Sequence, residues 1–567
     1  MRRFPKKIFC CVLFLTAAAF LRLAAPAAAQ TSSAVFHVDA AELAAKPIGN
    51  KLSNVNLWMF QSLSLPNERD RADGADLTPF VEYLQFMQAT GSSPDRDLFK
   101  DPADMKTLDD YDFEPLLDAC AKTLALGARP HIKFSVPSKY SSTRQNGDFR
   151  TNVFPPDDYE VYGTFVRALA RALVERFGRD EVLSWRFGVL TEFENPGWFK
   201  AESGTPEDSR EAYFKLYDYT VDALAAEIGP DVCVGAHAMA CSEGLWDERD
   251  LLDHCAAGRN YKTGGVGTRI RFMAVSFYDN KPGVPAKDPL PVIVGRLRKR
   301  AEEVGLTDLF YGVDEGRILY GIHSGTAADD LTQRMVGRTY QAAFDARLLK
   351  QAVDADIDYI SSWSYSTSGP YHGIPTVSYF VADLFSKFRG AYSARVERES
   401  EPAPDGVELD AVAGYEPDTQ TLRLMVYHFK DDYDYAGSAR ASLNISVPSL
   451  AGKKLRVTSW TVDDAVNFFP EWEKDREKFG IGNDSFKWSP DDPELDSPLT
   501  LAAPNARALY EKELRPRYAQ IARLTPKEET LEPRDGEIRL EAELGPQAVV
   551  FYEITAAEAE EESTRNH

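Results

Sequence analysis

Length, composition and charge narrow the class of protein before any motif is considered. The chain has 567 residues, of which 44% are hydrophobic and 11% aromatic, and this predicts a globular protein with more than one core. Its formal net charge of −23 argues against nucleic acid or an anionic membrane surface as a partner. The six cysteines show no metal-ligand spacing and no nucleotide-binding glycine fingerprint occurs, so we expect neither a metal nor an organic cofactor.

Residues 1–29 have the pattern of a secretory signal. Basic residues in the first seven positions precede an apolar run, and a small-residue AAA site ends at Ala29. The run is too short for a stable membrane span. We therefore expect an exported protein, secreted or periplasmic, that is cleaved near Ala29. Of the cysteines that follow, Cys241 and Cys255 are the one pair we consider for a disulfide, the alternative being buried free thiols.

Residues 49–388 alternate short apolar runs with amphipathic stretches, as repeated βα units do. Eight strands with intervening helices predict an α/β fold, a (β/α)₈ (TIM) barrel rather than an open sheet. The helix before the fourth strand has apolar residues at steps of three and four, from Tyr162 to Phe177, and should pack one face on the barrel. The strand candidates are Leu52–Trp58, Val81–Ala89, Arg129–Val136, Leu183–Leu190, Val232–Ala238, Ile270–Tyr278, Leu309–Asp314 and Asp358–Tyr365.

The sequence changes to alternating strands after the barrel. Segments such as TLRLMVYHF and AVVFYEI predict a C-terminal all-β sandwich domain over residues 389–555. The N-terminal segment 30–48 contains the run AVFHV, which is a candidate extra strand of that sandwich. Residues 556–567 are charged and lack aromatic residues, so we expect a disordered tail.

Acidic residues follow two of the barrel strands, where the chemistry of such barrels is placed. Glu192 and Glu194 follow the fourth strand, and Asp314 and Glu315 end the seventh. Two carboxylates that face each other about 5 to 5.5 Å apart can hydrolyse a glycosidic bond with retention, one as the acid and one as the nucleophile. Acids at strand ends are also common as solvated loop residues, so spacing alone leaves both interpretations open.

The segment from Asp157 to Phe199 resembles glycoside hydrolase family 39. Aligning its WRFGVLTEF with the WxFEVWNEP motif of that family places Thr191 at the Asn and Glu192, not Glu194, at the catalytic Glu. The resemblance implies a general acid/base at Glu192. The stretch YGVDEGRIL resembles the seventh-strand region of the family and implies that Glu315 is the nucleophile.

Other stretches agree with the resemblance in order, but several positions depart from it. RFMAVSFYDN resembles the sixth strand and implies that Tyr278 contacts the nucleophile, and YISSWSYSTSGPYHGIP resembles the eighth. Thr191 replaces an Asn that binds the sugar 2-hydroxyl, Ser276 replaces a His, Leu190 replaces a Trp, and Gly188 replaces a Glu. We therefore expect a divergent relative of the β-xylosidases and α-L-iduronidases.

Side chains near strand ends are candidates for contact with a sugar. Aromatic faces stack on sugar rings, and two polar residues of the third strand share one face, although each of these residues could equally pack inside the fold. The resemblance favours Trp363, because the eighth strand supplies the aromatic platform. The predicted substrate-binding residues are Thr191, Tyr278, Trp363, His131, Lys133 and Trp58.

These observations together predict an exported retaining glycoside hydrolase that acts through a covalent glycosyl-enzyme. The expected roles require a proton on Glu192 and an ionised Glu315. A non-catalytic carbohydrate-binding barrel is one alternative. A uronidase is another, in which His131, Lys133 and Arg317 would bind an acidic sugar. The partner is a glycoside or an oligosaccharide, and its sugar, its linkage and the oligomeric state stay open.

Overall fold

The computed structural model describes most of the chain that follows the predicted signal. Among the residues named above, Trp58, Cys241, Arg317 and Trp363 lie outside the described stretches, as does the predicted signal segment. The described residues are 31–57, 80–91, 97–142, 151–239, 244–278, 287–316, 338–362, 374–399, 406–487, 501–533 and 537–557.

Eight parallel strands close into a barrel, which confirms the predicted (β/α)₈ fold. The first and last strands of the barrel pair in parallel, Asn54 with Ser361 and Val55 with Ser362. Seven of the predicted strands contain the observed one, and the seventh, Leu309–Asp314, overlaps a strand that continues to Gly316. The barrel strands are β2 (Asn54–Leu57), β3 (Tyr83–Phe86), β4 (Arg129–Phe134), β5 (Arg186–Val189), β6 (Val234–Ala238), β7 (Phe272–Phe277), β8 (Phe310–Gly316) and β9 (Tyr359–Ser362).

Helices follow the barrel strands and cover their outer faces. The helix before β5 is representative: its Asp158 side chain accepts the backbone N–H groups of Glu160 and Val161, and its apolar stripe is buried on the barrel, as predicted. It ends at Gly178, whose φ is 85°. The helices are α1 (Glu114–Ala125), α2 (Tyr159–Phe177), α3 (Arg179–Leu183), α4 (Pro206–Glu227), α5 (Asp250–Ala257), α6 (Leu290–Glu303), α7 (Tyr340–Asp354) and α8 (Val377–Ser386).

Polar side chains point into the barrel, and they indicate where the candidate site lies. On β4, Ile132 and Phe134 belong to the hydrophobic core, whereas His131 and Lys133 alternate with them and lie near Gly188 of β5. Both polar side chains are fully buried. Because buried polar groups need partners, the barrel interior must carry a network of hydrogen bonds and ion pairs.

The second domain is a largely antiparallel sheet of nine strands. Its order is β15-β14-β17-β12-β11-β10-β1-β13-β16, and the sheet folds over so that β12 contacts β16, which is not its neighbour. The run AVFHV lies in β1, which pairs with β10 antiparallel and with β13 in parallel. The strands are β1 (Thr31–Pro47), β10 (Tyr392–Arg398), β11 (Val407–Glu416), β12 (Thr421–Lys430), β13 (Ser438–Ser446), β14 (Leu455–Val462), β15 (Lys527–Leu531), β16 (Glu537–Leu544) and β17 (Val549–Ala556).

The second domain is largely antiparallel β, as predicted, and helices are inserted between β14 and β15. They form a separate small core around Trp472, Tyr510 and Tyr518, and Ile374, which precedes α8 of the barrel, packs into that core. The inserted helices are α9 (Phe469–Phe479), α10 (Pro504–Leu509) and α11 (Arg515–Ile521), with a π-helical turn between α10 and α11.

The two domains share a packed interface. Helix α7 contacts β12, and apolar residues of β12 join the barrel core. Arg347 of α7 forms an ion pair with Glu408 at 2.9 Å, and the Tyr340 hydroxyl donates to Asp431 at 2.7 Å. The sheet therefore has a core of its own on one face and barrel helices on the other.

The predictions about a disulfide and about a membrane span can also be compared with the described residues. Cys255 is a buried free thiol, which gives no support to a Cys241–Cys255 disulfide. Among the helices in the described part of the chain, none combines the length and apolar character that crossing a membrane requires.

Candidate active site

The turn that follows β5 has a strained backbone. Leu190 and Glu192 have positive φ angles of 61° and 44°, which non-glycine residues rarely adopt. The cost is about 1–3 kcal/mol for each residue and must be offset by the surroundings. Phe193 offsets part of it, because its ring stacks on Tyr213 with the centroids 4.5 Å apart and its backbone N–H donates to the His237 carbonyl. The turn therefore holds the Glu192 side chain in one place.

Glu192 is buried and accepts three side-chain hydrogen bonds. Ser276 donates its hydroxyl to Oε1 at 2.6 Å. Asn195 donates its amide to Oε2 at 2.7 Å, and the Trp198 indole N–H donates to the same oxygen at 3.1 Å. All three partners are donors, so both carboxyl oxygens of Glu192 are used as acceptors.

Glu315 lies on β8 and is only partly exposed. Tyr278 donates its hydroxyl to Oε1 at 2.7 Å, which is the contact that the resemblance implies. Oε2 is enclosed and has no hydrogen-bond partner among the described residues. Burial and the nearby Glu192 carboxylate together raise the pKa of Glu315 to about 8, although the Tyr278 hydroxyl opposes the shift.

The two carboxylates face each other across the mouth of the barrel. One oxygen from each and a ring nitrogen of His237 all lie within 4.8 Å of one another. Such a trio resembles a cation site, but His237 has no ring nitrogen to spare. Its Nδ1 lies 2.5 Å from Lys133 Nζ and its Nε2 lies 2.8 Å from the Ser276 hydroxyl. The geometry therefore suits a pair of reacting carboxylates better than a metal.

A buried ion pair supports the site from below. Lys133 Nζ lies 3.1 Å from Asp314 Oδ2, and neither side chain is exposed. The Tyr359 hydroxyl donates to the other Asp314 oxygen at 2.5 Å. Burial raises the pKa of Asp314, but the Lys133 ammonium and this hydroxyl more than reverse the effect and hold it below its ordinary value. Burial lowers the pKa of Lys133, and Asp314 opposes that shift.

This burial changes the role we assign to two predicted substrate-binding residues. His131 and Lys133 have no exposed surface, and both lie below the pocket inside the barrel. Burial lowers the pKa of His131 to about 3, so its ring is neutral at ordinary pH. Neither side chain can offer a charge to a sugar carboxylate. The support they were expected to give to a uronidase is therefore absent, and the third member of that cluster, Arg317, lies outside the described residues.

Glu194 points away from the pair. Its side chain is 1% exposed, and its Oε1 accepts the backbone N–H of Met239 at 2.6 Å in the segment after β6. Burial raises its pKa well above the ordinary value. The carboxyl therefore braces the neighbouring loop, in agreement with the alignment that selects Glu192.

The remaining predicted contacts have different outcomes. Thr191 is buried, and its hydroxyl is enclosed and has no hydrogen-bond partner among the described residues. Tyr278 lies at the pair, as described above. Trp58 and Trp363 lie outside the described residues. Trp198, which follows Glu192 in the same loop, donates its indole N–H to Glu192.

Sequence reasoning missed His237, which contacts both Lys133 and Ser276. A signal was present, because Lys133, His237 and Ser276 each occupy the penultimate position of a barrel strand. Penultimate residues of neighbouring strands lie at a similar height in the barrel. Three hydrogen-bonding side chains at that level predict a network.

Sequence relatives with known activities cover part of the chain. A β-xylosidase of Caldicellulosiruptor saccharolyticus is 26% identical over 309 residues, which are 51% of this chain and 58% of that protein. A β-xylosidase of Geobacillus stearothermophilus is 32% identical over 138 residues, 24% of this chain and 26% of that protein. The chain thus matches less than two thirds of the length of either relative.

Solved structures and a family model extend the comparison. A bacterial orthologue of human α-L-iduronidase matches 93% of this chain and 84% of its own, with a TM-score of 0.64 and 17% identity. A β-xylosidase from Caulobacter crescentus matches 92% and 100%, with a TM-score of 0.61 and 16% identity. At such low identity these structures bear on the fold alone. The model of glycosyl hydrolases family 39 matches residues 96–368, a region that includes the carboxylate pair. The chain belongs to glycoside hydrolase family 39.

Proposed function

We propose that this protein is a retaining glycoside hydrolase in which Glu192 is the general acid/base and Glu315 the nucleophile. The observation that carries the proposal is the distance between the two side chains, whose nearest oxygens are no more than 4.8 Å apart. Retaining enzymes need carboxyl groups about 5–5.5 Å apart, whereas inverting enzymes separate them by about 6.5–9.5 Å to admit a water. The short separation of the pair supports retention.

The reaction takes two steps with a covalent intermediate. In the first step, a Glu315 oxygen bonds to the anomeric carbon, the glycosidic C–O bond breaks, and the Glu192 proton passes to the leaving oxygen. In the second step, Glu192 takes a proton from a water whose oxygen attacks the anomeric carbon. The ester bond to Glu315 then breaks, and both carboxyl groups return to their starting states. Tyr278 holds the attacking carboxylate through its hydroxyl.

The pKa that the surroundings raise is that of the nucleophile. We expected the higher pKa on Glu192, but burial and the nearby Glu192 carboxylate raise the pKa of Glu315 to about 8. Two carboxyl groups this close share one proton as a coupled pair. A bound glycoside offers an acceptor oxygen at Glu192 and an electrophilic carbon at Glu315, and both favour transfer of the proton to Glu192. Substrate binding therefore sets the reactive protonation state.

The function is tested with the purified mature protein and aryl glycosides that cover β-xyloside, β-galactoside, β-glucoside, α-arabinoside and α-iduronide. The variants are Glu192→Gln and Glu315→Gln, with Glu194→Gln as the matched control. We expect one substrate to be turned over by the wild type and the control, and lost in both other variants. A 2-fluoro glycoside should label Glu315, detected by mass spectrometry of its peptide.

Two results would contradict the proposal. Activity that survives Glu315→Gln would place the nucleophile elsewhere. Glycan binding without turnover by the wild-type protein would favour the non-catalytic alternative.

We also propose that the chain is exported, on the basis of the sequence pattern in residues 1–29. When the chain is expressed from Met1, the protein should be found outside the cytoplasm and begin at Gln30 when its N-terminus is sequenced. Cytoplasmic protein that still begins at Met1 would exclude this.

A further inference from the structure

A continuous hydrogen-bonded chain runs below the site and ends on Glu192. We propose that His237 is a positioning residue for Glu192: acting through Ser276, it fixes Oε1 as a hydrogen-bond acceptor and so holds the carboxyl group in one orientation. Lys133 contacts His237 at 2.5 Å, His237 contacts Ser276 at 2.8 Å, and Ser276 contacts Glu192 at 2.6 Å. The inference rests on the proposed role of Glu192 as the acid/base.

Lys133 sets the donor-to-acceptor direction of this chain of hydrogen bonds. An ammonium group has three donors and no acceptor, so Nδ1 of His237 must accept from it. The Lys133 charge is kept by Asp314, 3.1 Å away. His237 is itself fully buried beside a cation, which opposes a second charge on its ring. Its single ring proton is therefore on Nε2, and the ring donates to Ser276.

The same donor–acceptor argument applies to the contact between Ser276 and Glu192. The Ser276 oxygen receives a hydrogen bond from His237, and its own hydroxyl donates to Glu192 Oε1. A proton on Oε1 would then face another proton. The chain of hydrogen bonds therefore holds Oε1 as an acceptor, while Oε2 accepts from Asn195 and Trp198, and the carboxyl group is fixed at both oxygens.

The barrel strands leave space for this chain of hydrogen bonds. Strand β5 lies between β4 and β6, and Lys133 has to cross it to reach His237. Gly188 of β5 provides the space, because a Cβ at this position would lie 3.1 Å from Cγ of Lys133. His237 and Ser276 are no more than 1% exposed, so bulk water does not compete for their hydrogen bonds.

Leaving-group dependence distinguishes a positioning role from a structural one. A dinitrophenyl glycoside leaves without protonation, whereas a phenyl glycoside of the same sugar needs the acid. We expect Ser276→Ala to lower kcat/KM for the phenyl glycoside by about 10- to 100-fold, a share of the 10²–10⁴ that acid catalysis contributes, and for the dinitrophenyl glycoside by less than about threefold. Ser276→Thr, which keeps the hydroxyl, should restore most of the loss.

The matched control is Ser378→Ala, which removes a buried serine hydroxyl that bonds Asp345 on the outer helices. It should leave the ratio of the two kcat/KM values unchanged. Equal losses on both substrates in Ser276→Ala, or no loss on either, would overturn the positioning role.

A second measurement does not depend on activity. Nitrogen-15 NMR of histidine-labelled protein reports the tautomer of each ring, and the signals of His237 are identified among the eight histidines by their absence from His237→Gln. We expect a neutral Nε2–H tautomer in the wild type. A charged ring or an Nδ1–H tautomer would overturn the proposed chain of hydrogen bonds from His237 to Glu192. If no glycoside is hydrolysed but the Nε2–H tautomer is found, the proposed function fails, whereas the proposed donation from His237 to Ser276 stands.

Discussion

The buried ion pair of Lys133 and Asp314 leads to a quantitative stability prediction. Its charged atoms are 3.1 Å apart and neither side chain is exposed. At an effective dielectric constant near 20, unit charges at this distance attract by about 5 kcal/mol. Removal of one partner leaves a buried unpaired charge, so Lys133→Met and Asp314→Asn should each lower the free energy of unfolding by about 3–5 kcal/mol. The double variant should lose less than the sum, by at least about 2 kcal/mol.

Thermal unfolding measures the effect. A barrel of roughly 340 residues has an unfolding entropy near 0.7 kcal/mol/K, so each single variant should lower Tm by about 4–7 °C. Lys262→Met, which removes a partly exposed pair with Glu160, is the control and should change Tm by about 1 °C or less. If the double variant loses the sum of the two single losses, Lys133 and Asp314 are not coupled and the reasoning is refuted.

The stability loss of Lys133→Met should depend on pH, and the direction of that dependence can be worked out. In the wild type the pKa of Asp314 is held below its ordinary value, so its contribution to stability is present above the unfolded pKa, near 4, and is lost only as the pH falls through the lower folded value. In Lys133→Met, burial acts without the cation and the pKa rises. The penalty of this substitution should therefore be largest at neutral pH and shrink as the pH is lowered toward 5.

Three further predictions concern the nucleophile and the barrel core. Glu192→Gln removes a charge that raises the pKa of Glu315, so the acidic limb of kcat/KM on a dinitrophenyl glycoside should move to lower pH; an unmoved limb would contradict the coupling. Tyr278→Phe removes a hydrogen bond to the ionised carboxylate and should move that limb up by about 1–2 pH units, and a downward shift would count against the assignment. Gly235→Ala would place a Cβ 2.4 Å from Phe272 and should destabilise the barrel by about 1–3 kcal/mol in thermal unfolding, whereas an unchanged Tm would show that this contact relaxes freely.

The barrel and its carboxylate pair were accessible from sequence because their signals are local. Apolar runs mark the strands, and Glu192 and Glu315 directly follow or end such runs. The shared face of His131 and Lys133 was also readable from the two-residue period of a strand. Their depth was not, because the tilt and stagger of all eight strands decide whether an inward side chain reaches the pocket.

Two other features depend on information that no single segment carries. The raised pKa of Glu315 results from its enclosure together with the charge of Glu192, and both arise only when β5 and β8 face each other. Helix α9 has a local pattern, since Phe469 and Trp472 are spaced for one helical face, but the strands on either side directed the interpretation to an all-β domain. Its buried partner Tyr518 comes from α11, a separate helix.

The position of β1 has a consequence for the order of events during synthesis. This strand lies between β10 and β13, so its partners are translated only after the whole barrel. At 5–20 residues per second, the roughly 400 residues between β1 and β13 take about 20–80 s to appear. Throughout that time the apolar side chains of Phe36 and Val38, buried in the finished sheet, have no sheet to join. The barrel can form during this interval, whereas β1 must be kept from aggregating until its partners arrive.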